Sequence, residues 1–419
     1  MLLAHALASA GAQELTLHPG WLLEPQAGTF YENGIGSPTV AYDPDQDLWV
    51  MYFETQYGPI EAGGDCRQGR WGIGRATSPD GLNWTIDPAM VIEPQADTFY
   101  ECIAAHPTVV YDGDTWRVWF KAHQTNTVCD GEDVPDWGCG VITGVGQAES
   151  SDGITFTVTE EPIINLGTFG FPTVARVDGN WRMLLAYSNA ADNIYELWQS
   201  VSTNGGDTWS TPTFVLGPGF ATWVEDEIYN PAMTCDDDGD FRYTLWAGGR
   251  DTESLGGPPT VQTAGIGRVF SDDAVSWLWD GTEPLLLWDL APEPPAVADR
   301  DWRHWDVLRV GDEFLLFYSE KDPSGRNRVG LAYTYDAEQT TLDEAAIGNR
   351  ICGTEPVDTD TDVDTDDTDD ATTPTPEPMD TADTDPTSAP EPDPDCGCRT
   401  TGSAGWLFLL PLLAVRRRR

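Results

Sequence analysis

Carboxylates recur at one offset along this chain. Thr29-Phe30-Tyr31-Glu32 is echoed by Thr98-Phe99-Tyr100-Glu101, and each Glu stands five residues before the residue that opens a Pro-Thr-Val run, Ser37 or His106. Glu225 holds the same offset from Asn230, with Glu227 nearby, and Asp301 holds it from Asp306. His304 lies beside that last pair. Glu54, Lys121, His123, Arg250, Glu320 and Lys321 form a second set, each where an aromatic-rich run ends. Acids, imidazoles, a few cations and the Tyr31 and Tyr100 rings, brought to one place, make a polar pocket able to bind and do acid–base chemistry.

What would bring them together is a repeat. An apolar strand, a Gly/Asp turn and an aromatic strand run from Pro38 to Tyr52, Pro107 to Phe120, Pro172 to Tyr187, Pro231 to Trp246 and, more loosely, Val307 to Tyr318. Self-similarity at this period marks a repeat architecture, and a hairpin unit marks a propeller. Each repeat has a second half that ends in a turn such as Ser78-Pro79-Asp80-Gly81-Leu82-Asn83-Trp84 or Ser151-Asp152-Gly153. Asp-Gly between β-rich runs is a strong hairpin signal. The fold class is therefore all-β: a five-bladed β-propeller over 14–345, built of four-stranded antiparallel blades with strands A to D.

The last repeat lacks its D strand. His18 to Pro25 matches Asp87 to Pro94, the D strand of the first blade, so the N-terminal segment is expected to complete the last blade and close the ring. Up-and-down strands put A–B and C–D turns on one face and B–C and D–A loops on the other. That second face carries the carboxylate offsets and the long insertions Thr55 to Trp71, His123 to Thr143 and Gly248 to Thr263. Long loops on a rigid scaffold are where function concentrates. Counting from the turns puts Ser37, His106, Asn230 and Asp306 at the axis.

The chain has 419 residues and a net charge of -48, which argues against nucleic acid because no basic stripe exists to neutralise phosphates. Residues 354–395 are mostly Thr, Asp, Pro and Glu without Lys or Arg, a disordered self-repelling spacer. Residues 396–419 combine Cys396-Gly397-Cys398, an apolar run too short to span a bilayer unaided, and four terminal arginines. Residues 1–13 read as the remnant of a signal peptide, apolar with small residues at Ala8, Ala10 and Ala12. Export makes the six ring cysteines disulfide candidates. Cys129 and Cys139 bracket one loop and form the best pair; Cys66, Cys102, Cys235 and Cys352 cannot be matched from sequence.

The last 25 or so residues resemble the C-terminal sorting signal of myxobacterial surface proteins, which implies a secreted protein displayed at the cell surface, held to the outer membrane through that segment alone. The ring, through its Pro-Thr-Val runs, Gly/Asp turns and Ser-Pro-Asp-Gly-Leu-Asn-Trp turn, resembles the propellers of glycoside hydrolase families 43, 32 and 130. The resemblance implies an oligo- or polysaccharide partner, a monomer, and glycan cleavage by paired carboxylates. On that basis Glu227 is the candidate proton donor, with Glu32 and Glu101 as base and partner. Glu225, His106, His304, Asp306, Glu54, Arg250, Tyr31 and Tyr100 are candidates for substrate binding. Family 43 places an Asp where this chain has Ser37, and the alternative is a non-catalytic propeller that binds a glycan or a protein. No cofactor is expected. A divalent metal at the axis, on His106, His304 and neighbouring acids, is weighed against a hydrogen-bonded histidine, and the latter is preferred.

Overall fold

The computed structural model describes residues 16–58, 66, 69–124, 142–165, 169–189, 194–220, 224, 227–235, 241–251, 263–279, 286–289, 304–310, 313–333 and 350–352. No α-helix occurs among them. The short edge strand β1 (Thr16–Leu17) precedes successive antiparallel meanders. The first is β2 (Gly36–Asp43), β3 (Leu48–Tyr57), β4 (Arg70–Ser78) and β5 (Thr85–Ile86); the next is β6 (Ile103–Tyr111), β7 (Trp116–His123), β8 (Ile142–Ser150) and β9 (Thr157–Val158). Then come β10 (Phe169–Val177), β11 (Asn180–Asn189), β12 (Ile194–Ser202) and β13 (Thr213–Leu216), followed by β14 (Glu227–Cys235), β15 (Tyr243–Asp251), β16 (Thr263–Ser271) and β17 (Leu286–Asp289). The last meander is β18 (Trp305–Val310), β19 (Glu313–Lys321) and β20 (Asn327–Tyr333).

The outer edge of that last meander is β1, which pairs Thr16 with Tyr333 and Leu17 with Ala332, and Leu23 bridges Val329 farther along. The N-terminal segment thus completes the sheet begun at the other end of the ring, as the match between 18–25 and 87–94 predicts. The first strands of the meanders contact one another in sequence, β2 with β6, β6 with β10, β10 with β14 and β14 with β18, and β18 returns to β2. The architecture is propeller-like, with these first strands innermost.

The core lies between meanders. Trp49, Trp119, Trp246, Tyr52, Phe53, Phe120 and Phe317 are fully buried side chains of the second strands. A glycine on a neighbouring strand makes room for several of them. A Cβ at Gly146 would lie 2.5 Å from the Phe120 ring, and one at Gly330 would lie 2.5 Å from Tyr318. Turns at the outer rim are built on Asp side chains: Asp152 accepts from the backbone N–H of Ile154 (2.8 Å) and Thr155 (2.7 Å), and Asp273 does the same for Val275 and Ser276. Those bonds, with Thr155 and Ile154 contributing most, hold Asp152 at a pKa of about 2.

Beyond residue 345 the chain returns to the ring. β21 (Ile351–Cys352) lies parallel to β10, and Cys352 is joined to Cys235 at the end of β14. A second disulfide joins Cys66 to Cys102. The pairing of Cys129 with Cys139 and most of the long insertions lie outside the described residues, as do 1–13 and 354–419. By contacts the chain divides into Met1–Val357 and Asp358–Arg419.

Candidate functional site

Four of the innermost strands share a backbone irregularity. Ser37, His106, Phe171 and Asn230 have φ of 45°, 51°, 53° and 46°, each in the left-handed region and each followed by Pro. At each the ladder register breaks, between Gly36 and Thr39, Ala105 and Thr108, Gly170 and Thr173, and Tyr229 and Ala232. A β-bulge re-aims a side chain, and proline supplies no N–H that the broken ladder would leave unpaired. Non-glycine residues in this region cost on the order of 1–3 kcal/mol each and persist where the surroundings over-determine them, often at functional sites.

The bulged residues, with His304, surround the axis. A cavity of about 30 Å³ is lined by Ser37, His106, Phe171, Asn230 and His304, by the Pro and Thr residues that follow the bulges, and by Trp305 and Asp306. That is room for two or three waters. The rings of His106 and His304 lie 4.4 Å apart, and Phe171 covers both at 4.3 and 5.4 Å.

Glu54, at the end of the second strand of its meander, reaches into this cluster. Its Oε2 accepts the backbone N–H of His106 at 3.0 Å and lies 3.1 Å from His106 Nδ1; Ser37 Oγ lies 2.9 Å from that same nitrogen. Hydroxyl and carboxylate therefore meet at one ring nitrogen. A nucleophilic triad needs them on opposite nitrogens, so Ser37 is not an activated nucleophile.

Burial pushes the Glu54 carboxyl up to about 7, against the opposing pull of the His106 N–H, the Ser37 hydroxyl and the Lys121 charge. Burial likewise lowers Lys121 to about 8, partly offset by Glu54. His106 is held well below the usual histidine range by burial and then by the charges of His304, Lys121 and His123. His123 is shifted the same way, and neither of its buried ring nitrogens has a hydrogen-bond partner. The Lys121 ammonium lies 5.3 Å from the Phe171 ring centre.

Deeper on the axis the chemistry changes. Asp306 accepts the backbone N–H of Val40 and of Val307, both at 2.8 Å, and pairs with the guanidinium of Arg350. Arg350 also reaches Thr39 Oγ1 (3.3 Å), Thr108 Oγ1 (3.4 Å) and the Val109 carbonyl (3.2 Å), closing the axis with a side chain from beyond the ring.

The remaining sequence candidates fall in other places. The Glu32 carboxylate accepts the Gly28 N–H (2.9 Å) and that of Glu101 accepts the Asp97 N–H (3.2 Å), so each turns back onto its own loop. In the same loops Phe30 stacks on Phe53 and Phe99 on Phe120, Tyr31 is partly buried and Tyr100 is buried. The duplicated Thr-Phe-Tyr-Glu is a packing and turn motif in both copies. Glu227 begins β14, is buried, and stands opposite Arg250 in the ladder; Glu225 and Asp301 lie outside the described residues. Asp306 does not take the axial position expected for it. It pairs with Phe317 as Thr39 pairs with Tyr52, which places His304 level with Ser37, His106, Phe171 and Asn230. With no proline or bulge in β18, counting from the motif alone slips by two residues.

Arg350 and Phe171 were not singled out from sequence. The only hint of Arg350 was an unmatched cysteine two residues on, and Phe171 is an apolar residue at a position that is polar in its neighbours.

No protein-family model matches this chain, and no curated protein matches it either. Solved structures do. The chain is similar to a β-1,2-mannobiose phosphorylase of Listeria innocua, in complex with β-1,2-mannobiose, with a TM-score of 0.54 and 12% identity over 76% of this chain and 96% of that one. A structure from the family 130 mannoside phosphorylases, a family containing hydrolases that target β-1,2 mannosidic linkages in Candida mannan, aligns with a TM-score of 0.54 and 13% identity over 80% and 98%. A glycosyl hydrolase of Bacteroides ovatus aligns with a TM-score of 0.51 and 14% identity over 77% and 94%. The chain shares its fold with these structures.

Proposed function

We propose that this chain is a five-bladed, surface-displayed propeller that binds an oligo- or polysaccharide over the axial mouth. The observation that carries the reading is the convergence of four strained, bulged residues and His304 around a small polar well. Phe171 offers an apolar face for a sugar ring, and Ser37, His106, Asn230 and His304 offer hydrogen-bonding groups beside it. The fold is one that also serves proteins acting on glycans. In this reading the chain is exported, disulfide-bonded and monomeric, and the acidic spacer and the Cys-apolar-Arg segment tether it to the outer membrane.

Binding is favoured over cleavage by the disposition of the acids. Glu32 and Glu101 are engaged in their own turns, Asp306 is paired with Arg350, and Glu54 is buried against His106. The test is titration of the protein with arabinan, xylan, fructan and β-mannoside oligosaccharides. Saturable binding to one class is expected, weakened at least tenfold in Phe171→Ala and Asn230→Ala, about 1.4 kcal/mol or more. Equal affinity in both variants, or no binding to any glycan, overturns the reading.

A second reading, hydrolysis, is favoured by one observation: a Glu54 pKa of about 7 keeps a proton available near neutrality, as a general acid requires. Product release from the bound glycan, abolished in Glu54→Gln or Glu227→Gln, would establish it. Binding without product in the native protein would leave the binding function alone.

A further inference from the structure

We propose that Glu54, His106 and His304 form a site for a divalent first-row transition metal at the mouth of the axis. One ligand atom from each lies within 4.8 Å of the others. The three come from separate parts of the chain: the second strand of one meander, the bulge of the next, and the entry to β18. Their meeting is a product of the ring and not of a local turn.

The donor set is two imidazoles and one carboxylate. It suits zinc, manganese, iron or cobalt and is a poor match for calcium, which takes six or more oxygens. Metal–ligand bonds of about 2.1 Å put ligand atoms at most roughly 4.2 Å apart, so closing on an ion requires adjustments of less than about 1 Å. Glu54 and His106 already stand 3.1 Å apart.

One bond orients a ligand side chain and a second fixes a ligand's backbone before any ion arrives. The carboxylate of Glu54 accepts the backbone N–H of His106 (3.0 Å), and the carbonyl of His304 accepts the Ser319 N–H (2.9 Å). A hydrogen bond to a ligating carboxylate, as at Glu54, typically governs affinity 10–100-fold. His106 is held at φ 51°, and the ring this presents to the axis is the one the ion would use. The adjoining cavity of about 30 Å³ leaves space for water or a ligand hydroxyl on the remaining coordination positions.

Lys121 opposes the ion. Its charge acts on Glu54, and a metal must compete with it for the same carboxylate. The site is therefore expected to be selective and tunable, tighter when the ammonium is removed.

The experiment uses the full chain stripped with chelator and titrated separately with Zn²⁺, Mn²⁺ and Ca²⁺, with metal content measured after gel filtration. One equivalent of Zn²⁺ or Mn²⁺ is expected, lost in Glu54→Gln and in His304→Gln and bound severalfold more tightly in Lys121→Met. Any weak uptake by the Asp-rich segment is common to all four proteins and cancels in the comparison. Should a variant fail to fold by circular dichroism, nitrogen hyperfine coupling in the electron paramagnetic resonance of the Mn²⁺-loaded native protein reports histidine ligation directly. No equivalent bound, equal uptake in native protein and variants, absent nitrogen coupling, or a preference for Ca²⁺ each overturns the proposal. None of these outcomes depends on whether a glycan binds.

Discussion

Among the described residues, Asp306 and Glu54 are acids buried near the axis of this ring, and they are treated in opposite ways. Asp306 is met by two backbone N–H groups and the Arg350 guanidinium, and its neighbours are threonine hydroxyls that complete the network. Glu54 is met by one backbone N–H, a hydroxyl and a histidine nitrogen, with Lys121 beside it, and its pKa rises to about 7. Burial of a charge is tolerated when donors are supplied and shifts the group toward neutrality when they are not. The base of the axis is thus satisfied and structural. The Glu54 cluster has fewer donors for its buried carboxylate, and nearby on β7 both ring nitrogens of His123 are buried without a hydrogen-bond partner.

The largest effect should come from breaking the base. Arg350→Met leaves the Asp306 carboxylate buried without its counter-ion and is expected to lower stability by about 3–5 kcal/mol. Arg350→Met combined with Asp306→Asn should recover much of that loss, since no uncompensated charge remains. Denaturant unfolding of the native, single and double variants measures this. Additive losses would show that the pair is not coupled.

The mouth should respond to pH near neutrality through Glu54. In metal-free protein Glu54 takes up its proton near pH 7 in the folded state and near 4.5 when unfolded. The native state therefore binds more protons between those values, and stability rises as pH falls from about 7 toward 4.5. The size is on the order of 2–3 kcal/mol. Glu54→Gln should remove that rise, measured as the difference in unfolding free energy between native and variant across the window. A constant difference with pH would mean Glu54 keeps an ordinary pKa and burial does not shift it.

A rim carboxylate provides the weakest case. Asp152→Ala deletes a turn acceptor that is exposed to water and should cost roughly 0.5–1 kcal/mol at neutral pH. Because its folded pKa is depressed to about 2, that contribution is present above the ordinary carboxylate range and disappears as pH falls through about 2. Thermal unfolding at neutral and acid pH checks both the size and the direction.

Much of the ring was legible before any coordinates. Pro-Thr-Val runs and Asp-Gly turns are local signals, so the meanders and the completion of the last sheet by the N-terminal strand follow from matching 18–25 to 87–94. The site was less legible. Thr-Phe-Tyr-Glu repeats at a suggestive offset, yet Glu32 and Glu101 spend their carboxylates on Gly28 and Asp97, because a loop of that length lets the side chain reach its own backbone. Glu54, read from sequence as a strand-end acid and a substrate-binding candidate and not as one of the catalytic carboxylates, is the carboxylate that reaches the His106 cluster.

The sequence by itself determined the strand order, the turns and the presence of an axis, since each depends on residues within a few tens of positions. Only the tertiary structure decided what occupies that axis. Arg350 returning from beyond the ring to Thr39 and the pairing of Cys235 with Cys352 depend on separations of over 100 residues, and His304 instead of Asp306 stands level with the bulged residues because β18 lacks their register break. No local propensity reports them, because the contacts exist only once the ring has closed.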